Sequence, residues 1–186
     1  MNALFADYEP GPAHRGPRFD PRDVRPARVA DVEAIAAISL ARDGGDPEDV
    51  TRRIRGELDA MAPDGAWTVF VAEVDGAVVA YGRIRRLEQG DEPDGVPAGW
   101  HLTGVVVDPA HRRRGIAHAL VEARLDWAAE RTDTVYYFVN ERNRPSIDLH
   151  AAFGFELVGP VAHARSNLTA EHGRLYRVRL SEGPGA

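Results

Sequence analysis

The sequence predicts an α+β fold built from seven strands and about four helices. Strand and helix periodicities of the apolar residues follow one another in the order β-α-α-β-β-β-α-β-α-β-β. Asp75-Gly76 separates two strand-like runs and predicts a tight hairpin. The 186 residues suffice for one domain with a buried core. We expect this domain at 24–181, between a flexible Pro/Gly-rich arm at 1–23 and a short tail at 182–186.

The individual elements are predicted from their spacing and their boundary residues. A first strand over 24–29 contains Pro26, which suits an edge strand because proline lacks an N–H. Apolar residues at helical spacing predict a first helix over 31–41, and Asp46-Pro47 predicts the start of a second. The remaining predicted elements are strands at 67–74, 77–87 and 100–107, a helix at 116–130, a strand at 135–139, a helix at 145–153, and strands at 155–158 and 174–180.

Composition excludes several classes of function. The net charge of −6 argues against bulk nucleic-acid binding. The absence of cysteine excludes disulfides, thiolate zinc sites and a cysteine nucleophile. We find no apolar run of transmembrane length and no signal peptide, so we expect a cytoplasmic protein that does not associate with membranes. The excess of Ala, Arg, Gly, Asp and Val over Lys and Ile is associated with high-GC genomes, and we expect a bacterial source.

The stretch from Leu102 to Leu120 combines a strand, a basic glycine loop and a helix start. Asp108-Pro109 ends the apolar strand, and the helix is predicted to begin at Ile116. Unbonded amides at a helix start attract anions, and Gly115 lets the backbone approach a ligand. Three arginines at 112–114 add positive charge that suits phosphate. The loop therefore predicts a phosphate or pyrophosphate site, the alternative being an ordinary connection with a solvated basic loop.

Two motifs then point to a family. A P-loop is excluded because no lysine follows Gly115, and the dinucleotide fingerprint is absent. Arg112-x-x-Gly115-x-Ala117 resembles the pyrophosphate loop of the GNAT acyltransferase superfamily, Gln/Arg-x-x-Gly-x-Gly/Ala. Downstream, a segment resembles the second cofactor motif of that family, and the matching residues are Asn143, Ser146, Leu149, Gly154 and Phe155. The resemblance covers residues 24–180.

The resemblance implies a fold and a reaction. The fold would be a single domain of α/β/α layers, with a mixed, mostly antiparallel seven-stranded sheet whose central strands splay apart. The reaction would move the acetyl group of acetyl-CoA to a primary amine by direct attack in a ternary complex, without a metal. The residues implied in holding the cofactor are Val105, Val106, Val107, Arg112, Arg113, Arg114, Gly115, Ile116, Ala117, His118, Asn140, Asn143 and Ser146.

Two asparagines follow a predicted strand, and each admits two roles. Asn140 and Asn143 could bind the amides of pantetheine through their side chains. Alternatively, Asn143 could cap the following helix, since asparagine is a favoured N-cap residue. Both roles can hold together.

The candidate catalytic residues are two histidines. The family often has tyrosine at the position of His150, where its hydroxyl protonates the leaving thiolate. An imidazole can replace that donor, but solvent can also supply the proton, or the ring can simply pack. His101 is the titratable side chain on the central strand, and we propose it as base or water-relay anchor on the face of Thr103 and Val105. The alternative is an exposed, inert histidine, and the competing residues are Glu73, Tyr136 and Tyr137.

The acceptor is expected to be a small-molecule amine. Acidic residues in the regions that relatives use for acceptors would attract a polyamine or an aminoglycoside-like cation. The alternative is a solvated acidic surface. The acidic residues are Asp43, Asp46, Glu48, Glu88, Asp91, Glu92, Asp94 and Glu171, and His163 lies in the same regions. Competing functions are protein N-terminal or lysine acetylation and a catalytically silent acyl-CoA-binding module. A homodimer is common among relatives.

Overall fold

The computed structural model describes residues 18–62, 65–89, 96–162 and 169–180. Among them it places seven strands and four α-helices in the predicted order. The elements are β1 (Val24–Pro26), α1 (Val32–Asp43), α2 (Pro47–Asp59), β2 (Trp67–Val74), β3 (Ala77–Leu87), β4 (Gly99–Val107), α3 (Ile116–Ala129), β5 (Thr134–Asn140), α4 (Arg144–Ala151), β6 (Glu156–Pro160) and β7 (Gly173–Arg179).

The strands belong to one seven-stranded sheet in the order β1-β2-β3-β4-β5-β7-β6. The pairs β1–β2, β2–β3, β5–β7 and β6–β7 are antiparallel. β4 and β5 are parallel, with registered pairs Trp100↔Val135 and His101↔Tyr136 near the beginnings of both strands. The predicted mixed, mostly antiparallel sheet is therefore confirmed, whereas splaying of β4 from β5 stays a prediction.

The chain divides into two compact units, each described by itself below. Among the described residues, the N-terminal unit comprises 18–62, 65–85 and 103–124, and the C-terminal unit comprises 86–89, 96–102, 125–162 and 169–180. The predicted domain limits at residues 23 and 181 stay predictions, because 1–17 and 181–186 lie outside the described residues. In the part of the arm that is described, Asp20 caps a 3-10 turn at Pro21–Asp23, and the Phe19 N–H donates to the Arg114 carbonyl at 3.0 Å.

The N-terminal unit carries helices on both faces of its strands. On one face, α1 and α2 pack on β2 and β3 around residues that include Ile35, Ile54 and Val71, each fully buried. Side chains alternate along β3, so neighbouring residues point to opposite faces. Tyr81 reaches α1, where its hydroxyl lies 3.3 Å from Ser39 Oγ. The next residue, Gly82, lies against Arg124 of α3. This arrangement gives the predicted α/β/α layers.

In the C-terminal unit, every second side chain of β5 is buried. Val135, Tyr137 and Val139 are buried, and the Tyr137 ring stacks on His150 of α4 with centroids 4.0 Å apart. Trp100 meets Trp127 edge to face at 5.0 Å. Apolar rings of this size supply much of a core, because each buries a large area. Among the described residues, the helices are all too short or too polar to cross a membrane.

Element boundaries shift where the local chemistry dictates. β1 ends at Pro26 rather than at Val29, and residues 29–31 form a 3-10 turn. The Arg28 N–H, just before this turn, donates to the Asp31 carboxylate at 2.7 Å. α1 continues two residues beyond the predicted end, to Asp43, and Gly44 with φ +67° follows as its C-cap. The hairpin at Asp75-Gly76 is confirmed, since both residues have the positive φ that a type I′ turn requires.

Candidate active site

The loop between β4 and α3 in the N-terminal unit is fixed by its own backbone and side chains. The Asp108 carboxylate accepts the Ala110 N–H at 2.8 Å, and this cap forms a 3-10 turn at Pro109–His111. The Asp108 N–H donates to the Val79 carbonyl at 2.9 Å, which ties the end of β4 to β3. Arg112 Nε donates to the Val107 carbonyl at 3.2 Å. The loop therefore enters α3 in one defined conformation.

The start of α3 presents backbone amides in an open setting. The first helical hydrogen bond runs from the Ala119 N–H to the Gly115 carbonyl at 3.0 Å, so the amides of Gly115, Ile116 and Ala117 have no intrahelical acceptor. Gly115 has φ +88°, and no other described residue lies within 4 Å of where its Cβ would stand. Arg113 also has a positive φ, 64°. These observations fit an oxyanion-rich ligand such as a diphosphate, since amides, helix dipole and arginines coincide.

β4 contains an irregularity that the sequence did not reveal. Gly104 is exposed and has φ +56°, within a strand that is otherwise extended. A residue in the left-handed region breaks the extended geometry on which two-residue alternation depends. The shared face of His101, Thr103 and Val105 stays a prediction. Val106 is buried, whereas Val105 and Val107 are partly exposed.

Beside Gly104 lies an ion pair that the sequence analysis also missed. Arg83 of β3 donates through Nε to Glu57 Oε1 at 2.5 Å and through Nη2 to Oε2 at 3.0 Å. The guanidinium carbon sits 4.7 Å from the Tyr81 ring centre. Burial works against the charge, but the interactions with Glu57, and to a smaller extent with Tyr81, outweigh it and raise the pKa of Arg83. The pair joins α2 to β3, and residues this far apart carry no sequence signal of their contact.

The two predicted asparagines of the C-terminal unit use their side-chain oxygens locally. Asn140 Oδ1 accepts the Arg142 N–H at 2.9 Å. Asn143 caps α4, where Oδ1 accepts the Ser146 N–H at 3.3 Å. The capping alternative is therefore confirmed for Asn143. A pantetheine-binding role through the amide nitrogens of these residues stays a prediction.

His150 occupies a packed position under α4. Its side chain is buried, and Nδ1–H donates to the Ser146 carbonyl at 2.7 Å. The His150 ring lies between Tyr137 and Phe155. It stacks on the Tyr137 ring and meets the Phe155 ring edge to face, with centroids 5.3 Å apart. Burial raises the pKa of Tyr137 well above the usual range, so the phenol beside the imidazole stays neutral.

His101 is fully buried, so the alternative of an exposed histidine is wrong. The ring stacks on Tyr136 at 5.2 Å and lies 6.1 Å from Phe138. Nδ1–H donates to the Gly99 carbonyl at 3.0 Å, which fixes the neutral tautomer with Nε2 as the basic nitrogen. Its competitor Glu73 is engaged by Arg25 at β1.

Several of the acidic residues expected to attract the acceptor serve the fold instead. Asp46 caps α2 by accepting the N–H groups of Glu48 and Asp49, each at 3.0 Å. Asp43 pairs with Arg42 at 2.7 Å. Glu88 and Glu171 also have ion-pair partners, Arg86 and His172. Asp91, Glu92, Asp94 and His163 lie outside the described residues.

Comparison with known proteins agrees with this architecture. The sequence model of the acetyltransferase (GNAT) family matches residues 32–155. An N-alpha-acetyltransferase from Sulfurisphaera tokodaii is 32% identical over 167 residues, which cover 86% of this chain and 90% of the relative. Ribosomal-protein-alanine N-acetyltransferase from Brucella melitensis superposes with a TM-score of 0.63 at 23% identity, covering 84% of this chain and 99% of that one.

A further structure of the same fold contains the cofactor. A protein from Salmonella typhimurium, solved with acetyl-CoA, superposes with a TM-score of 0.63 at 21% identity, covering 88% of this chain and 96% of its own. The chain belongs to the GNAT acetyltransferase family. It is an acyltransferase of the N-acetyltransferase type.

Proposed function

We propose that this enzyme transfers the acetyl group of acetyl-CoA to the α-amine of a polypeptide or a related α-amino acyl compound. The observation that carries the cofactor half is the open set of amides at Gly115, Ile116 and Ala117 beside three arginines. Bound acetyl-CoA supplies the acetyl group as a thioester, which an amine can attack directly. The chain's own task is then to hold the diphosphate, orient the acceptor and exclude competing water.

The residues proposed to hold the cofactor act mainly through the backbone. The amides of residues 113–118 would bind diphosphate oxygens, and the guanidinium groups of residues 112–114 would add charge. The backbone of β4 at Val105–Val107 would lie along the pantetheine arm, since Gly104 interrupts the regular strand just before it. Asn140, Asn143 and Ser146 are proposed as further contacts, through groups that capping does not use.

The archaeal relative supports an α-amine acceptor, because its name specifies N-alpha-acetylation. A polyamine or an aminoglycoside-like cation has less support. Asp46 is committed to capping α2, and Asp43 to an ion pair, so the described acidic residues do not form an uncommitted cluster. The small-molecule acceptor expected from the sequence is therefore the second candidate. Cytoplasmic location and homodimer formation stay predictions.

The roles of the two histidines are proposed from their hydrogen bonds. His101 is proposed as base or water-relay anchor, acting through Nε2 because Nδ1–H is engaged by Gly99. His150 is proposed to pack and to orient α4, and the thiolate would take its proton from solvent. We expect His101→Ala to lower turnover across pH 6–9, because the attacking amine then lacks the side chain that takes its proton. Unchanged turnover across that range would remove His101 from the mechanism.

The cofactor proposal is tested by reversing charge at two places. Arg112, Arg113 and Arg114 are replaced together by glutamate, and acetyl-CoA affinity is measured by calorimetry. We expect at least a hundredfold loss, since backbone amides alone would face three like charges. The matched control replaces three exposed arginines of α2 by glutamate: Arg52, Arg53 and Arg55. Both variants change the net charge equally, so a similar loss in the control would mean that only bulk charge matters.

The acceptor half is tested by thiol release from acetyl-CoA in the presence of an amine panel. The panel contains peptides with free N-termini, lysine-bearing peptides with blocked N-termini, and polyamines. We expect release with the free N-termini. Release only with polyamines would favour the second candidate, and cofactor binding without any release would favour a silent acyl-CoA-binding module.

A further inference from the structure

Arg83 is held in place by two side chains within the N-terminal unit. The Glu57 carboxylate accepts hydrogen bonds from Arg83 Nε and Nη2, and the Tyr81 ring lies against the guanidinium carbon. The Arg83 side chain is 19% exposed and that of Glu57 is 22% exposed, so both are mostly buried but still reach solvent. A bidentate pair with an aromatic support leaves little freedom of orientation. Arg83 is thus a fixed donor rather than a mobile surface arginine.

The third nitrogen of this guanidinium faces the irregular point of β4. Nη1 lies 3.7 Å from where a Cβ would stand on Gly104. Gly104 is exposed, and its positive φ marks the place where the strand departs from regular geometry. A guanidinium has five N–H donors, and the bidentate contact to Glu57 engages Nε and Nη2. Nη1 is therefore the part of Arg83 directed toward a bare, accessible stretch of β4 backbone.

We infer that Arg83 determines which amines the enzyme accepts, by donating a hydrogen bond from Nη1 to an oxygen next to the reacting amine. This inference rests on the proposed function, in which the thioester lies along Val105–Val107, directly after Gly104. The favoured acceptor is then an α-amine with a carbonyl or carboxylate one carbon away. Polypeptide N-termini and amino acid amides share this chemistry.

The same guanidinium selects against other amines by charge. A polyamine brings a second ammonium group close to the first, and a fixed cation disfavours that approach. An alkylamine without a carbonyl avoids repulsion but offers Nη1 no acceptor. Glu57 partly neutralises Arg83, so the discrimination depends mainly on the directional hydrogen bond.

The test compares two acceptors that carry a carbonyl one carbon from the amine with an alkylamine that has none. Wild-type enzyme and Arg83→Met are assayed at saturating acetyl-CoA with a tetrapeptide, alaninamide and isopropylamine. We expect the substitution to raise KM for the first two by about 10- to 100-fold, the usual worth of a hydrogen bond to a charged group. The kcat/KM for isopropylamine should change less than twofold. Arg55→Met is the matched control, because it removes an exposed arginine paired with Glu33 at 3.3 Å.

Two further measurements separate recognition from folding. Calorimetric affinity for acetyl-CoA should be the same in wild type and Arg83→Met, whereas binding of the tetrapeptide to the CoA-bound protein should weaken at least tenfold. If Arg83→Met fails to fold, Arg83→Lys is used, which keeps the charge but lacks the planar bidentate fork that fixes the direction of the donor. For the lysine variant we expect KM to rise for the same two acceptors, the tetrapeptide and alaninamide, but by a smaller factor than in Arg83→Met.

Each outcome decides between named alternatives. An equal loss for all three amines, or no loss for the tetrapeptide, would overturn the role of Arg83 while leaving acetyl transfer intact. A wild-type preference for isopropylamine over alaninamide would do the same without any variant. Absence of thiol release by the wild type with every amine would instead overturn the proposed function. Alaninamide matching the tetrapeptide would identify the α-amino carbonyl unit as the feature recognised, and a strong preference for the tetrapeptide would place additional contacts further along a polypeptide.

Discussion

Short polar side chains at the starts of helices and turns use their oxygens to accept hydrogen bonds from the nearby backbone. Asp46, Asp108 and Asn143 each accept backbone N–H groups two or three residues ahead. These contacts satisfy donors that a helix or turn start leaves unbonded. A residue engaged in this way can serve a ligand only through its remaining atoms. This separates the two roles of Asn143, whose oxygen caps α4 while its amide nitrogen is proposed to contact pantetheine.

Substituting Asn143 tests the two roles independently. We expect Asn143→Ala to lower the free energy of unfolding by about 1 kcal/mol, the typical worth of an N-cap. Asn143→Asp keeps the capping oxygen and should preserve stability to within a few tenths of a kcal/mol. If the amide nitrogen also contacts pantetheine, the aspartate variant will still bind acetyl-CoA more weakly. Urea unfolding and calorimetry measure the two effects, and equal destabilisation by both substitutions would contradict the capping assignment.

At the scale of elements, β3 and α3 are joined by a buried arginine. Arg124 is fully buried and donates through Nε to the Leu120 carbonyl at 2.8 Å and through Nη1 to the Arg83 carbonyl at 2.9 Å. Burial lowers the pKa of Arg124 to about 9, so the side chain is still charged at pH 7. The guanidinium fits because Gly82 has no side chain. A Cβ at Gly82 would stand 3.0 Å from the Arg124 guanidinium carbon.

A double-mutant cycle tests this contact. We expect Gly82→Ala to destabilise the protein by about 1–3 kcal/mol, because the added methyl overpacks a filled space. In an Arg124→Met background the flexible side chain can move aside, and the same substitution should cost at least about 1 kcal/mol less. Urea unfolding of the four proteins gives the coupling. Additive costs would mean that β3 and α3 do not meet through this pair.

Across the whole molecule, ion pairs tie together segments that are distant in sequence. Arg25 of β1 binds Asp31, which precedes α1, and Glu73 of β2. In the C-terminal unit, Glu141 binds His172 and Arg174. The Asp31 side chain is 8% exposed, and its hydrogen bond with Arg25 outweighs burial, so the pKa of Asp31 lies below its usual value. Such a group contributes to stability only while it is ionised in the folded state.

Stability should therefore fall with acid in a way that depends on Asp31. The lowered pKa makes its contribution complete above about pH 4, the unfolded value, and the contribution is lost as pH falls through the folded value. We expect Asp31→Asn to cost about 1–3 kcal/mol at pH 7, less than a sealed pair because Arg25 is partly exposed. The difference from wild type should shrink below about pH 4. Asp43→Asn is the control, since that carboxylate is exposed and pairs with its chain neighbour Arg42. A pH-independent cost for Asp31→Asn would contradict the linkage.

The sequence by itself determined the order of the elements, the basic glycine loop that precedes α3 and the family. These features depend on periodicity and on residues within a few positions of one another, such as Asp75-Gly76 or Arg112-x-x-Gly115. Only the tertiary structure decided the surroundings of the two histidines and the left-handed conformation of Gly104. It alone also joined Glu57 to Arg83, 26 positions further along the chain. The physical reason is that burial, tautomer and long-range ion pairing arise when separate elements pack together, and no short stretch of residues encodes which of them will meet.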